Sequence, residues 1–169
     1  VKSIQTSIYA SRTLPGLKAR HETMDIQNFA AQTALSDISV IIAAYEAAGT
    51  IDRALRSIAA QTLKPSEVVV VDDGSTDGTA SAAGACANEM NGIRLRVFRG
   101  EQNLGAGAAR NRAIEESTGP TLAFLDADDE WMPEKLERSM AHLEDANLVL
   151  VAHDYLTGEG PNAPITHCG

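Results

Sequence analysis

Five short apolar runs, separated by stretches with helical spacing, dominate the chain from residue 38 onward. Ile38 to Ala43 is rich in β-branched residues and predicts a buried strand. Thr50 is placed to cap a helix whose apolar positions Ile51, Ala54, Leu55, Ile58 and Ala59 share one face, and Lys64-Pro65 stops that helix. Glu67 to Val71 contains four consecutive valines, which only a sheet covered on both faces would bury. The polar loop Asp72 to Gly78 follows, and Asp77 is placed to cap an alanine-rich helix over Thr79 to Met90. Asn91-Gly92 turns the chain into a third strand, Ile93 to Phe98. Arg99 to Gly107 reads as a Gly-containing loop, and Ala108 to Ser117 as a helix ended by Gly119-Pro120. The fourth run, Thr121 to Leu125, stops abruptly at Asp126, Asp128 and Asp129, with Glu130 beside them. A helix from Pro133 to about Asp145 carries Leu136, Met140 and Leu143 on one face, and Leu148 to Ala152 predicts a fifth strand.

Strands separated by single helices run parallel with right-handed crossovers. The expected fold is therefore α/β, a Rossmann-like, mainly parallel sheet flanked by helices. The expected domain covers residues 37–157. Residues 1–36 read as a leader or a peripheral helix, with Ile26, Phe29, Ala30 and Leu35 on one face, and residues 158–169 as an irregular tail. Ligands of such sheets bind beyond the carboxyl ends of the strands. Ala44-Tyr45-Glu46, Asp72-Asp73, the 99–107 loop and Asp126 to Asp129 all fall there, so loops distant in sequence converge on one rim.

Composition narrows the chemistry. The 169 residues suit one domain, and a net charge of −9 argues against a nucleic-acid binder, which needs a basic face. Cys86 and Cys168 form no CxxC pair and suggest neither a disulfide framework nor a zinc site. No apolar run is long enough to span a membrane, and the N-terminus lacks a secretory h-region, so the expected setting is cytoplasmic.

Four carboxylates at a strand's end repel one another unless a divalent cation or solvent sits among them. Asp73 is placed to accept a hydrogen bond from a base or sugar, or to form a turn. Asp73, Ser75 and Asp77 imitate a calcium loop, but the twelfth position is Gly84, not Glu. Gly105-Ala106-Gly107-Ala108-Ala109-Arg110 approaches a dinucleotide fingerprint, with Asp126 about 20 residues on, yet Arg110 replaces its third glycine. What survives is a Gly turn and a helix N-terminus that suit an anion, with Arg99, Arg110 and Arg112 available to a diphosphate or paired with Glu115 and Glu116. Tyr45 is placed to stack on a flat base or to cover the sheet edge, and Trp131 to line a sugar pocket or to anchor the helix after it.

Four blocks in order, SVIIAAYEAAGTIDRALRSIAAQ, VVVVDDGSTDGT, QNLGAGAARNRAI and FLDADDEWMPEKL, resemble family 2 glycosyltransferases, inverting enzymes of the GT-A fold, over about Ser39 to Tyr155. The resemblance places the Asp-x-Asp motif at Asp126-Ala127-Asp128, with Asp129 adjacent, where it meets the ribose and a metal, Mn²⁺ or Mg²⁺. It places the base-binding carboxylate at Asp73, the aromatic residue at Tyr45 between Ala44 and Glu46, and the basic residue at Arg110 after Gly105. It implies a nucleoside-diphosphate sugar donor, UDP-sugar favoured, and a saccharide or lipid-linked acceptor, the latter bringing the protein to the inner face of the membrane. The family's general base lies well downstream of Asp-x-Asp. Only 41 residues (169 − 128 = 41) follow Asp128, and Asp154 and Glu159 come too early. The chain thus reads as the donor-binding part, truncated before the acceptor-binding half. The alternatives are a non-catalytic nucleotide-sugar-binding module, a dinucleotide-dependent oxidoreductase resting on GAGAAR, and a phosphatase using Asp126, whose pattern after Asp128 is absent.

Overall fold

The computed structural model describes residues 9–11, 36–144, 150–151, 155–156 and 165–166. In chain order its elements are β1 (Tyr9–Ser11), β2 (Ser36–Ala44), α1 (Ile51–Ala59), β3 (Pro65–Asp72), α2 (Thr79–Ala85) with a 3-10 turn at Cys86–Glu89, and β4 (Arg94–Arg99). Then follow α3 (Ala106–Glu116), β5 (Thr121–Phe124), α4 (Lys135–Glu144) and the short strands β6 (Leu150–Val151), β7 (Tyr155–Leu156) and β8 (Ile165–Thr166).

Alternation along the strands sorts the core into two layers. Val40, Ile42, Val68 and Val70 pack with Ile51, Leu55 and Ile58 of α1, Ala83 of α2 and Leu136 of α4. Ile41, Val69, Val71 and Leu122 pack with Ala109 and Ala113 of α3 on the opposite face. The valine run is thus buried from both sides, as its composition requires.

The six-stranded sheet has the order β4-β3-β2-β5-β1-β6. The four strands β4, β3, β2 and β5 are parallel. The chain steps outward from β2 to β4, then returns across β2 to make β5. With right-handed crossovers this reversal moves α3 to the face opposite α1 and α2, and opens a crevice at the carboxyl ends of β2 and β5.

The expected α/β architecture is present, with local differences. α3 begins at Ala106, so Gly107 is helical and not part of a loop; the surrounding alanines favour helix strongly enough to carry one glycine. The helix over Thr79 to Met90 divides into α2 and the 3-10 turn. Thr50 does not cap α1 with its hydroxyl, which instead donates back to the Ala47 carbonyl (3.2 Å). The fifth predicted strand is shorter than expected, as β6, and lies beyond β1 at the sheet edge. β1 comes from the segment read as a leader and pairs antiparallel with both β5 and β6. β8, from the segment read as an irregular tail, pairs antiparallel with β7. The helical face proposed over Ile26 to Leu35 lies outside the described residues.

A buried carboxylate ties the amino ends of the parallel strands together. Glu67 of β3 accepts from the Ser39 hydroxyl of β2 (2.7 Å) and from the backbone N–H (2.6 Å) and hydroxyl (2.8 Å) of Thr118, just ahead of β5. Arg94 of β4 donates to its other oxygen (3.1 Å). Burial by itself would raise the Glu67 carboxyl, but the Thr118 N–H, the two hydroxyls and Arg94 outweigh it and pull the group from 4.5 down to about 2. β4 is the outer strand of the sheet and carries Arg94, Arg96 and Arg99 in six residues. Arg96 also pairs with Glu116 (3.0 Å) and stacks over Phe98, 5.0 Å from the ring centre.

Candidate functional site

The loops after β2 and β3 are zipped together by the polar residues of the second. Asp73 N–H donates to the Ala44 carbonyl (2.8 Å). Glu46 sits at a positive φ of 49°, its N–H donates to the Ser75 hydroxyl (2.9 Å), and its carboxylate accepts from the N–H (2.8 Å) and hydroxyl (3.0 Å) of Thr76. Ala47 N–H donates to the Thr79 hydroxyl and Ala48 N–H to Asp77, both at 2.8 Å. The other Asp77 oxygen accepts from the Thr79 hydroxyl (2.6 Å) and N–H (2.9 Å), which caps the start of α2. The Thr79 hydroxyl first, then the Ala48 N–H, hold the Asp77 carboxyl below its ordinary range. Asp72 accepts from Ser75 N–H (3.0 Å) and closes a turn within the loop. Gly74, at φ +77°, lies so near the next loop that a Cβ there would stand 2.6 Å from the Gln102 carbonyl carbon. These side chains build the rim.

Asp73 performs a task that spacing did not reveal. Both its oxygens accept from Leu104 N–H (3.0 and 3.1 Å), and one also accepts from Gly105 N–H (2.7 Å). The anion seated on this Gly turn is therefore the protein's own carboxylate, and it fixes the entry to α3. Between the end of β2 and the start of α3 lies a cleft of about 240 Å³. Its lining includes Ala43, Ala44, Ala106 and Ala109, together with Tyr45, Asp73 and Gly105. Tyr45 is 52% exposed. Small apolar side chains flanked by an exposed aromatic ring and a carboxylate suit a flat heterocycle with a ring N–H.

Of the three arginines considered for a diphosphate, Arg110 alone reaches the acidic run, where its guanidinium meets Asp126 at 2.7 Å. Arg99 donates to the Ser75 carbonyl (3.0 Å). Arg112 donates to the Arg99 carbonyl (3.3 Å) and stacks over Phe98 instead of pairing with Glu115 or Glu116. Within the acidic run Asp128 is exposed, Asp126 is part-exposed, Ala127 is buried, and Asp129 is buried at 1% exposure with its N–H on the Asp126 carbonyl (3.2 Å). Glu130 pairs with Arg53 of α1 (3.0 Å). Trp131 is packed in the core and anchors the segment leading to α4. Among the described residues no three aspartate, glutamate, histidine or cysteine side chains converge as a metal centre. The hard carboxylate oxygens of Asp126 and Asp128 are of the donor type that divalent cations prefer.

The structure thus brings Tyr45, Asp73, Gly105, Arg110, Asp126 and Asp128 to one rim, and turns Glu46 toward Thr76 in the neighbouring loop. Sequence reasoning missed Ser75, Thr76 and Thr79 as loop anchors, and Ser57 and Gln61 beneath the acidic run. The available signal for the last two was a pair of polar residues four apart beside the apolar stripe of α1.

Residues 39–167 match the family profile described as Glycosyl transferase family 2. The succinoglycan biosynthesis protein ExoU of Rhizobium meliloti is 50% identical over 101 residues, covering 60% of this chain and 29% of that protein. The putative teichuronic acid biosynthesis glycosyltransferase TuaG of Bacillus subtilis is 39% identical over 103 residues, covering 61% of this chain and 40% of that protein. Among solved structures, the mannosyltransferase PcManGT of Pyrobaculum calidifontis, in complex with GDP-Man and Mn²⁺, superposes with a TM-score of 0.62 at 32% identity, over 69% of this chain and 34% of that one. S. aureus TarS in complex with UDP-GlcNAc gives a TM-score of 0.58 at 35% identity, over 65% of this chain and 32% of that one. This chain spans well under half the length of each of these four proteins.

Proposed function

The chain belongs to glycosyl transferase family 2, and from that premise we propose that its rim binds a nucleoside-diphosphate sugar and supports metal-dependent transfer of the sugar, with inversion, to an acceptor hydroxyl. One observation carries the reading. Ala109 lines the cleft that Tyr45 and Asp73 also line, while its neighbour Arg110 reaches Asp126, so one turn of α3 links that cleft to the acidic run.

In this reading Tyr45 covers one face of the base, and Asp73, held by Leu104 and Gly105, offers its remaining acceptor capacity to a ring N–H. Arg110 exchanges Asp126 for diphosphate oxygens and neutralises the charge that grows as the nucleotide leaves. Asp126, Asp128 and the adjacent, buried Asp129 are the residues that would hold the cation. A bound Mn²⁺ or Mg²⁺ supplies further positive charge at the leaving diphosphate. UDP-sugar is the donor favoured by the family resemblance, and solved neighbours are complexed with UDP-GlcNAc and with GDP-Man. A saccharide or a lipid-linked saccharide is the acceptor class. No helix among the described residues is long and apolar enough to cross a membrane.

The test is calorimetry with UDP and GDP, each with and without Mn²⁺, on the wild type and on Asp128→Asn. Expected is nucleotide affinity that rises with metal in the wild type and loses most of that rise in the variant. Nucleotide binding indifferent to metal in both proteins would refute the reading. The anomeric configuration of any transferred sugar, read by proton NMR, tests inversion. Metal-dependent binding without turnover on any acceptor accords with a donor-binding part whose general base lies outside these residues, and a binding module gives the same result.

A further inference from the structure

We propose that Gln61, together with Ser57, is a positioning residue for the Asp126–Asp128 end of the site, acting through the segment that follows the acidic run. The proposal rests on the donor-site reading above. A carboxamide buried without partners is costly, so its hydrogen bonds show what it is there to hold. Gln61 lies just past α1 and is 1% exposed. Its Nε2 donates to the Met132 carbonyl (2.8 Å) and to the Ser57 carbonyl (3.1 Å), while its Oε1 accepts from Leu136 N–H (3.0 Å). Leu136 N–H belongs to the first turn of α4, where backbone donors lack partners within the helix. One side chain thus grips the chain on both sides of Pro133 and supplies a cap to α4 from another helix.

The grip extends along α1 at helical spacing. Ser57, four residues before Gln61, accepts from Trp131 N–H (3.1 Å) while donating to the Ala54 carbonyl (2.7 Å). Arg53, four residues earlier still, pairs with Glu130. Thr62 N–H donates to the Pro133 carbonyl (2.9 Å). The backbone or side chains of residues 130 to 133 and 136 are therefore each bonded to α1 or its end. Upstream, Asp126 is tied to Arg110. Asp128 hangs between these two anchorages, and α1 sets where its carboxylate stands. An apolar residue would fill the same volume, but it would read neither the Met132 carbonyl nor the Leu136 N–H.

The experiment compares the wild type with Gln61→Met, which keeps length and removes the hydrogen bonds, and with Ser57→Ala, which removes the acceptor for Trp131 N–H. Trp131 is the sole tryptophan, so acrylamide quenching of its fluorescence reports the anchored segment directly. Calorimetry measures UDP affinity with and without Mn²⁺, and thermal melts follow the fold. Expected in both variants are stronger quenching of Trp131 and a loss of about tenfold in the metal-dependent part of UDP affinity, with metal-free UDP binding unchanged. Lowered melting temperatures with unchanged quenching and an unchanged metal-dependent part would make Gln61 a core residue only and overturn the proposal. If Gln61→Met fails to fold, Ser57→Ala and its conservative counterpart Ser57→Thr decide, the second restoring both readouts. If the wild type itself shows no metal-dependent UDP binding, the donor-site reading fails by itself. Quenching then decides the anchoring: unchanged shielding of Trp131 overturns it, and increased quenching sustains it.

Discussion

Replacing Glu67 by glutamine should remove the acid-sensitive part of stability that this carboxylate contributes. The carboxylate is buried and lowered from 4.5 to about 2 by donors from β2, from β4 and from the turn before β5. A depressed carboxylate binds its proton less readily in the folded than in the unfolded state. Its contribution is therefore fully present above about pH 4.5 and is lost as pH falls toward 2. At about 1.4 kcal/mol per pH unit, the contribution is about 3 kcal/mol. The substituted carboxamide keeps the shape but replaces an ionised acceptor by a neutral one and turns an amide toward Arg94. The assay is urea unfolding followed by far-UV circular dichroism at pH 7, 4.5, 3.5 and 2.5. The wild type should exceed Glu67→Gln by about 3 kcal/mol at pH 7, and the two curves should converge near the acid end. Curves that stay parallel across the range would refute the reasoning, because the donors would then not be favouring the ionised form.

Three further outcomes follow from the rim. Asp73→Ala strips the partners from Leu104 and Gly105 N–H, so amide exchange at those two positions should accelerate, stability should fall by about 1–3 kcal/mol, and discrimination between uridine and other nucleosides should weaken while Mn²⁺ dependence persists. Gly74→Ala combines a left-handed φ of +77° with a contact at 2.6 Å, and thermal unfolding should register a loss of about 2 kcal/mol or more. Arg110→Gln should lower UDP affinity about tenfold in calorimetry with little change for uridine, since the residue sits at Asp126 and outside the cleft lining.

The parallel sheet was legible because its strands advertise themselves: four valines in a row have no other home than a doubly covered sheet. The rim was legible because chain direction alone sends Tyr45, Asp73, Arg110 and Asp126 to the same edge. What stayed hidden is what depends on partners remote in sequence. Gln61 meets residues 71 and 75 positions away, and no local period marks such a bond. Glu46 stands beside Tyr45, and its bond to Thr76, 30 positions away, is likewise unmarked in the sequence. β1 is three residues long, and its strand character comes from the pairing offered by β5 and β6, not from its own pattern. Gly107 suggested a loop because glycine is a poor helix former, but its alanine neighbours decided otherwise.

The arginines of β4 carry a consequence for crowding. An outer strand offers a ladder of backbone groups to any extended chain that drifts alongside, which is how sheets polymerise. Here a second copy approaching the same edge would bring arginines toward arginines at three of six positions, their charge partly answered by Glu67, Glu116 and Asp72. Lateral growth is therefore discouraged on that flank, and the sheet is extended by its own chain on the other, where β1 and β6 follow β5.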